Sequence, residues 1–198
     1  MQAFMKYDQG SGVKAGGSDS LSEGGAYIFE ITSAIYSCAS TGTHGIEFSV
    51  QTKDGLKGRY INIYYAKKDN TPVSGGQSIL NAIMGLLKIP AISFLQSNRD
   101  GAQVNCVPEI EGKTIGLFLQ KKLYTKNDGS DGYQFEMKTP FDPATGKTLR
   151  ELVNDIPANT IDRMTAAYKD SDERKAPQGN GGYPPSGPDV GDTNSYGF

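Results

Sequence analysis

Five runs of this chain alternate apolar and polar residues with a period of two, while one run of similar length takes the period of a helix. That contrast constrains the fold most, because a strand sends successive side chains to opposite faces and a helix gathers every third or fourth on one. In residues 26–38, AYIFEITSAIYSC, it assigns Tyr27, Phe29, Ile31, Ser33 and Ile35 to one face and Ile28, Glu30, Thr32, Ala34 and Tyr36 to the other. Residues 46–52 point Ile46, Phe48 and Val50 inward, and Asp54-Gly55 supplies a hairpin turn. Residues 56–68 form a third strand with Ile61 and Ile63 inward and Tyr60, Asn62 and Tyr64 on the opposite face.

The period changes at residues 74–90, where Ile79, Leu80, Ile83, Met84 and Leu87 follow helical spacing. Ser74 and Gln77 have capping-box spacing, and Pro90 stops the helix. After a polar connection through Asn98, Arg99, Asp100 and Gly101, the alternation returns with Ile115, Leu117 and Leu119 inward. A turn at Asn127-Asp128-Gly129 leads to a fifth strand carrying Tyr133, Phe135 and Met137 on one face. Thr148 and Glu151 form a second capping-box pattern, and residues 160–169 add another helical turn or two. Three strands, a helix and two strands are the connectivity of an OB-fold, so the expected class is mainly β: a five-stranded, partly open antiparallel barrel with one helix between strands 3 and 4 and short C-terminal helical turns.

Composition divides the chain into three. Gly and Ser crowd residues 10–25, so residues 1–23 are expected to be a flexible arm ahead of a domain at 24–169. Residues 170–198 are rich in Gly, Pro, Asn and Asp and are expected to be a disordered tail. They hold 2 Lys+Arg against 5 Asp+Glu, whereas residues 1–169 hold 18 against 17, so the acidity belongs to the tail. No apolar run approaches the roughly 20 residues that span a bilayer, and the first ten residues lack the order of a signal peptide. A cytoplasmic protein without a membrane partner is the expectation.

One histidine, His44, and two distant cysteines, Cys38 and Cys106, do not compose a usual zinc site. Neither GxSxG, GxxxxGK[ST] nor HExxH occurs. These points argue against an enzyme and predict no metal and no cofactor. The third strand and its flanks interleave Lys57, Arg59, Lys67 and Lys68 with Tyr60, Tyr64 and Tyr65, and the fourth strand carries Phe118, Lys121, Lys122, Tyr124 and Lys126. Such a mixture suits single-stranded nucleic acid, because cations follow phosphates while exposed rings accept unpaired bases. Tyr60, Tyr64, Phe118 and Tyr124 are the stacking candidates; Arg59, Lys67, Lys68, Lys122 and Lys126 are the phosphate candidates. Strand aromatics also fill barrel interiors, and lysines also populate ordinary solvated faces.

With Gly25-Ala26-Tyr27 opening the first strand, Gly45-Ile46-Glu47-Phe48 the second, Lys57-Gly58-Arg59 the third and Gly112-Lys113 before the fourth, residues 24–140 resemble phage-encoded single-stranded DNA-binding proteins. The resemblance implies a protein that coats single-stranded DNA during phage replication and recombination in the host cytoplasm. It also implies that Asp189, Asp192, Tyr196 and Phe198, in a tail ending Tyr-Gly-Phe, recruit replication or recombination enzymes. Oligomeric state stays open. Two other readings also stay open: a phage structural or assembly protein whose aromatics contact protein, and a nuclease using Asp and Glu with magnesium.

Overall fold

A computed structural model describes residues 6, 8, 19–99 and 101–174. Its elements are β1 (Gly25–Cys38), β2 (His44–Gln51), β3 (Lys57–Ala66), α1 (Ser74–Leu87), β4 (Leu95–Arg99), β5 (Ala102–Cys106), β6 (Thr114–Thr125), β7 (Asp131–Phe141), α2 (Leu149–Val153), α3 (Thr160–Ala166) and β8 (Ser171–Asp172). The fold is mainly β and its long strands are antiparallel, with α1 between the third and fourth of them, as the alternation predicts. Hydrogen bonds join β3 to β2, β2 to β1, β1 to β6 and β6 to β7. The two ends of that series, β3 and β7, face each other without strand pairing, so the curled sheet is not closed into a barrel.

β1 pairs with β6 through Gly25–Glu30 and with β2 through Glu30–Cys38, and it changes phase as it passes between them. Ile31 opposes Val50 and Ser33 opposes Ser49, which makes Thr32 the extra residue of a β-bulge. Phe29 and Ile31 are buried as expected; beyond the bulge Ala34 takes the inward position, and Ser33 and Ile35 are only half-buried. The core these strands enclose contains Phe29, Ile31, Ile46, Phe48, Ile61, Ile63, Leu80, Ile83, Leu117, Leu119 and Met137. Each such side chain stabilises the fold by about 1.5 to 3 kcal/mol on burial.

Several local expectations change. The polar stretch around Asn98 is not a loop: Leu95–Arg99 and Ala102–Cys106 form a hairpin that extends the sheet beyond β1. Arg99 is held there by Glu111 through two hydrogen bonds of 2.8 and 2.6 Å, with a third bond of 3.2 Å to Ser33. Ser74 does not cap α1; Val73 is the N-cap, whose apolar side chain makes no cap bond, and its N–H donates to the Tyr65 carbonyl. Over residues 115–119, β6 is buried on both faces. Ile115, Leu117 and Leu119 face the core, while Phe141 and Tyr168 cover its outside, so a Cβ on Gly116 would lie 2.2 Å from the Phe141 ring.

Order also reaches further at both ends than composition suggests. Leu21 is buried and its N–H donates to the Lys57 carbonyl at 2.8 Å, although it belongs to the expected arm. Ser171–Asp172 pairs in parallel with β6, inside the expected tail. Asp172 there accepts from Arg174, which lowers its pKa to about 2.

The two C-terminal helices start on one carboxylate. Glu151 is 1% exposed; its Oε2 accepts from the Thr148 N–H and hydroxyl, and its Oε1 from the N–H groups of Asn159 and Thr160. The Thr148–Glu151 capping box is thus present as read from the sequence, and the same side chain also serves the start of α3. Burial alone would raise the Glu151 pKa, but the N–H groups of Asn159, Thr148 and Thr160 outweigh it and hold the carboxyl far below its ordinary 4.5. Glu151→Ala is expected to lower unfolding free energy by about 3 kcal/mol, measured in urea, since four donors lose a charged acceptor. Because the folded pKa is depressed, the ionised contribution is complete above 4.5 and fades as pH falls toward the folded value. The stability gap between the parent protein and Glu151→Gln should therefore narrow below that pH.

Candidate nucleic-acid interface

The seam between β3 and β7 is built around an irregularity in β3. Opposite β2, Phe48 pairs with Ile61 and Val50 with Gly58, so two residues, Arg59 and Tyr60, face Ser49 alone. Ladder pairing fails over this bulge, and both side chains are turned to solvent. Tyr60 absorbs the distortion with a φ of 60°, a left-handed backbone that costs an L-residue about 1 to 2 kcal/mol. Its ring is 70% exposed. Two bonds brace the bulge: Ser37 donates to Asn62 Oδ1 at 2.8 Å, and Asn62 Nδ2 donates to the Tyr60 carbonyl at 3.2 Å.

From this point a groove runs along the seam. One part, about 480 Å³, has Ile63, Ile79, Phe135 and Met137 among its lining and Tyr60, Asn62, Tyr64, Lys122, Gln134 and Glu136 around them. The start of α1 lies against it, close enough that a Cβ on Gly76 would meet the Tyr64 carbonyl at 1.8 Å. A second part, about 530 Å³, shares Tyr60, Asn62, Gln134 and Phe135 and adds Leu21, Lys57, Arg59, Tyr124 and Tyr133. Residues 19–21 bridge the two edges there. Leu21 donates its N–H to the Lys57 carbonyl on β3 and accepts from the Tyr133 hydroxyl on β7 at 3.2 Å, while Lys57 donates its N–H to Asp19.

The structure gathers five of the nine sequence candidates on the groove: Arg59, Tyr60, Tyr124, Lys122 and Tyr64, the last 38% exposed. Of these, Lys122 already has its Nζ 2.7 Å from Glu173. Lys67 and Lys68 lie beyond the far end of β3 in a separate shallow hollow with Thr41, Thr43 and Asp69. Lys126 is exposed at the β6–β7 turn. Among the described residues, Arg59, Lys67, Lys68 and Lys126 form no ion pair.

Phe118 must be withdrawn as a stacking residue. It is 3% exposed, on the outer face of β6, where the Tyr168 ring meets it edge-on at 6.1 Å. Asp189, Asp192, Tyr196 and Phe198 lie outside the described residues. Tyr133 is a groove residue that the alternation grouped with Phe135 and Met137 and did not single out; it is 44% exposed, with the Lys121 Nζ 5.2 Å from its ring centre.

No protein-family model matches the chain, and no curated protein is significantly similar to it. The functional reading therefore rests on the groove itself. The strain at Tyr60 can be measured directly. Tyr60→Val places a β-branched residue at a left-handed φ and is expected to cost about 1 to 2 kcal/mol, whereas Tyr60→Gly, which tolerates that backbone, should cost less. Equal unfolding midpoints for the two variants would show the position to be relaxed.

Proposed function

We propose that this chain is a single-stranded DNA-binding protein, acting without catalysis to coat and protect transient single strands such as those of phage replication and recombination. The observation that carries the reading is Tyr60, a ring held 70% exposed on a left-handed bulge at the edge of an open groove. Nothing in the packing of the core calls for an aromatic there, and a strained residue at a cleft suits a ligand contact. Tyr64 and Tyr124 offer further rings along the same groove. Each base stacked on such a ring is worth about 1 to 3 kcal/mol, with little dependence on its identity.

Phosphates would be met by Arg59 beside Tyr60, by Lys67 and Lys68 past the far end of β3 and by Lys126 past the other end of the seam. Lys122 could join them only by exchanging Glu173 for a phosphate. Recruitment of replication or recombination enzymes through Asp189, Asp192, Tyr196 and Phe198, and residence in the cytoplasm of a bacterial host, belong to the same proposal.

Binding of a short oligonucleotide, followed by quenching of tyrosine fluorescence, tests it. Tyr60→Ala or Tyr64→Ala should weaken single-stranded DNA by roughly 5- to 150-fold, while Val153→Ala, an exposed apolar residue outside the groove, should leave affinity unchanged. Neutralising phosphates at the four unpaired cations predicts a log-log salt slope of about −3. Affinity indifferent to both salt and the two tyrosines would refute the groove, and cleavage of the strand in magnesium would replace binding with catalysis.

A further inference from the structure

β4 ends the sheet on the side away from β3: it pairs with β5 and with no other described strand. An open edge of this kind is a template for pairing, and proteins that must keep one unpartnered usually guard it with lysine, proline or an inward charge. Here residues 95–98, Leu-Gln-Ser-Asn, carry none of these. Arg99, which could have served as a guard, spends its charge on Glu111. The hairpin is also fixed in place, since the same arginine reaches Ser33 on β1 and Glu111 receives the Ala34 N–H at 2.9 Å.

Two large apolar side chains stand at the start of this edge. Phe94 is 47% exposed, although its ring meets Tyr36 edge-on at 5.5 Å, and Leu95 is 57% exposed. Beside them is an apolar hollow of about 360 Å³ between α1 and the segment entering β4, lined chiefly by Ile46, Leu80, Met84, Ile92 and Phe94. Ridge, hollow and open edge thus lie together on one surface.

We infer that this surface is a self-association interface, in which β4 pairs antiparallel with β4 of a second copy across a two-fold axis near Leu95. A two-fold contact sets a patch against itself, so any net charge on it would be repelled by its own image. In a chain that is 21% charged, residues 89–98 and 101–108 contain no charged residue. A patch with that composition opposes neither its copy nor itself, and it supplies both the protruding Phe94 and Leu95 and the hollow that receives such side chains. A strongly charged partner would find nothing to read there.

Sedimentation velocity of the full chain, without nucleic acid, tests the inference. The parent protein is expected at twice the 21.3 kDa chain mass at micromolar concentration. Leu95→Lys, which sets like charges across the axis, should return it to the chain mass, as should Gln96→Lys; Leu95→Met should keep the dimer. Both lysine variants replace exposed side chains, and an unchanged melting curve confirms that each is folded. A parent protein that stays monomeric, a dimer that survives both lysine substitutions, or growth into open-ended assemblies would each overturn it. Because no oligonucleotide is present, the outcome stands apart from that of the binding assay.

Discussion

The whole sheet turns on a single strand that changes partners along its length. β1 is 14 residues long, and it hydrogen-bonds β6 along its first half and β2 along its second. A flat ribbon could not serve both, because the same side-chain phase would have to face a core that curves away beneath it. The bulge at Thr32 solves this by advancing the phase one residue, and Ala34 then continues the buried face that Phe29 and Ile31 began. Everything outward of β1 follows from that bend, including the approach of β3 toward β7 and the gap left between them.

What could be read in the residues beforehand is what depends on local period. The pattern of Ile46, Phe48 and Val50, or of Ile61 and Ile63, is strong enough to define a face without help from the rest of the chain, and the structure buries all five. The same holds for Thr148 and Glu151, whose cap is made by neighbours three apart. Long-range events were not legible. β4 and β5 are short, mostly polar strands, and the hairpin they form is joined to the rest of the sheet by distant contacts such as that of Arg99 with Glu111. Phe118 is covered by Tyr168, far downstream, and the start of α1 is tied to β3 by the bond from Val73 to Tyr65.

The groove shows the same division. Tyr60 and Tyr64 followed from alternation, but no glycine or asparagine marks the sequence Arg59-Tyr60-Ile61 as a bulge, so the left-handed backbone came from the fold. Charge was the least transparent element. Counting basic residues treats all lysines alike, whereas Lys57, Lys121 and Lys122 are each engaged by an acidic group and contribute less field than their number suggests. The groove is consequently more aromatic than basic. On the function proposed for it, selectivity would rest on the flat faces of unstacked bases more than on bulk electrostatic attraction.

The bridge made by residues 19–21 has a mechanical meaning. One backbone segment grips both lips of the cleft, holding Lys57 on one side and the Tyr133 hydroxyl on the other. It is a cross-tie: at that end the spacing between the two strands is fixed by main-chain bonds of three consecutive residues, not by side chains meeting across the gap.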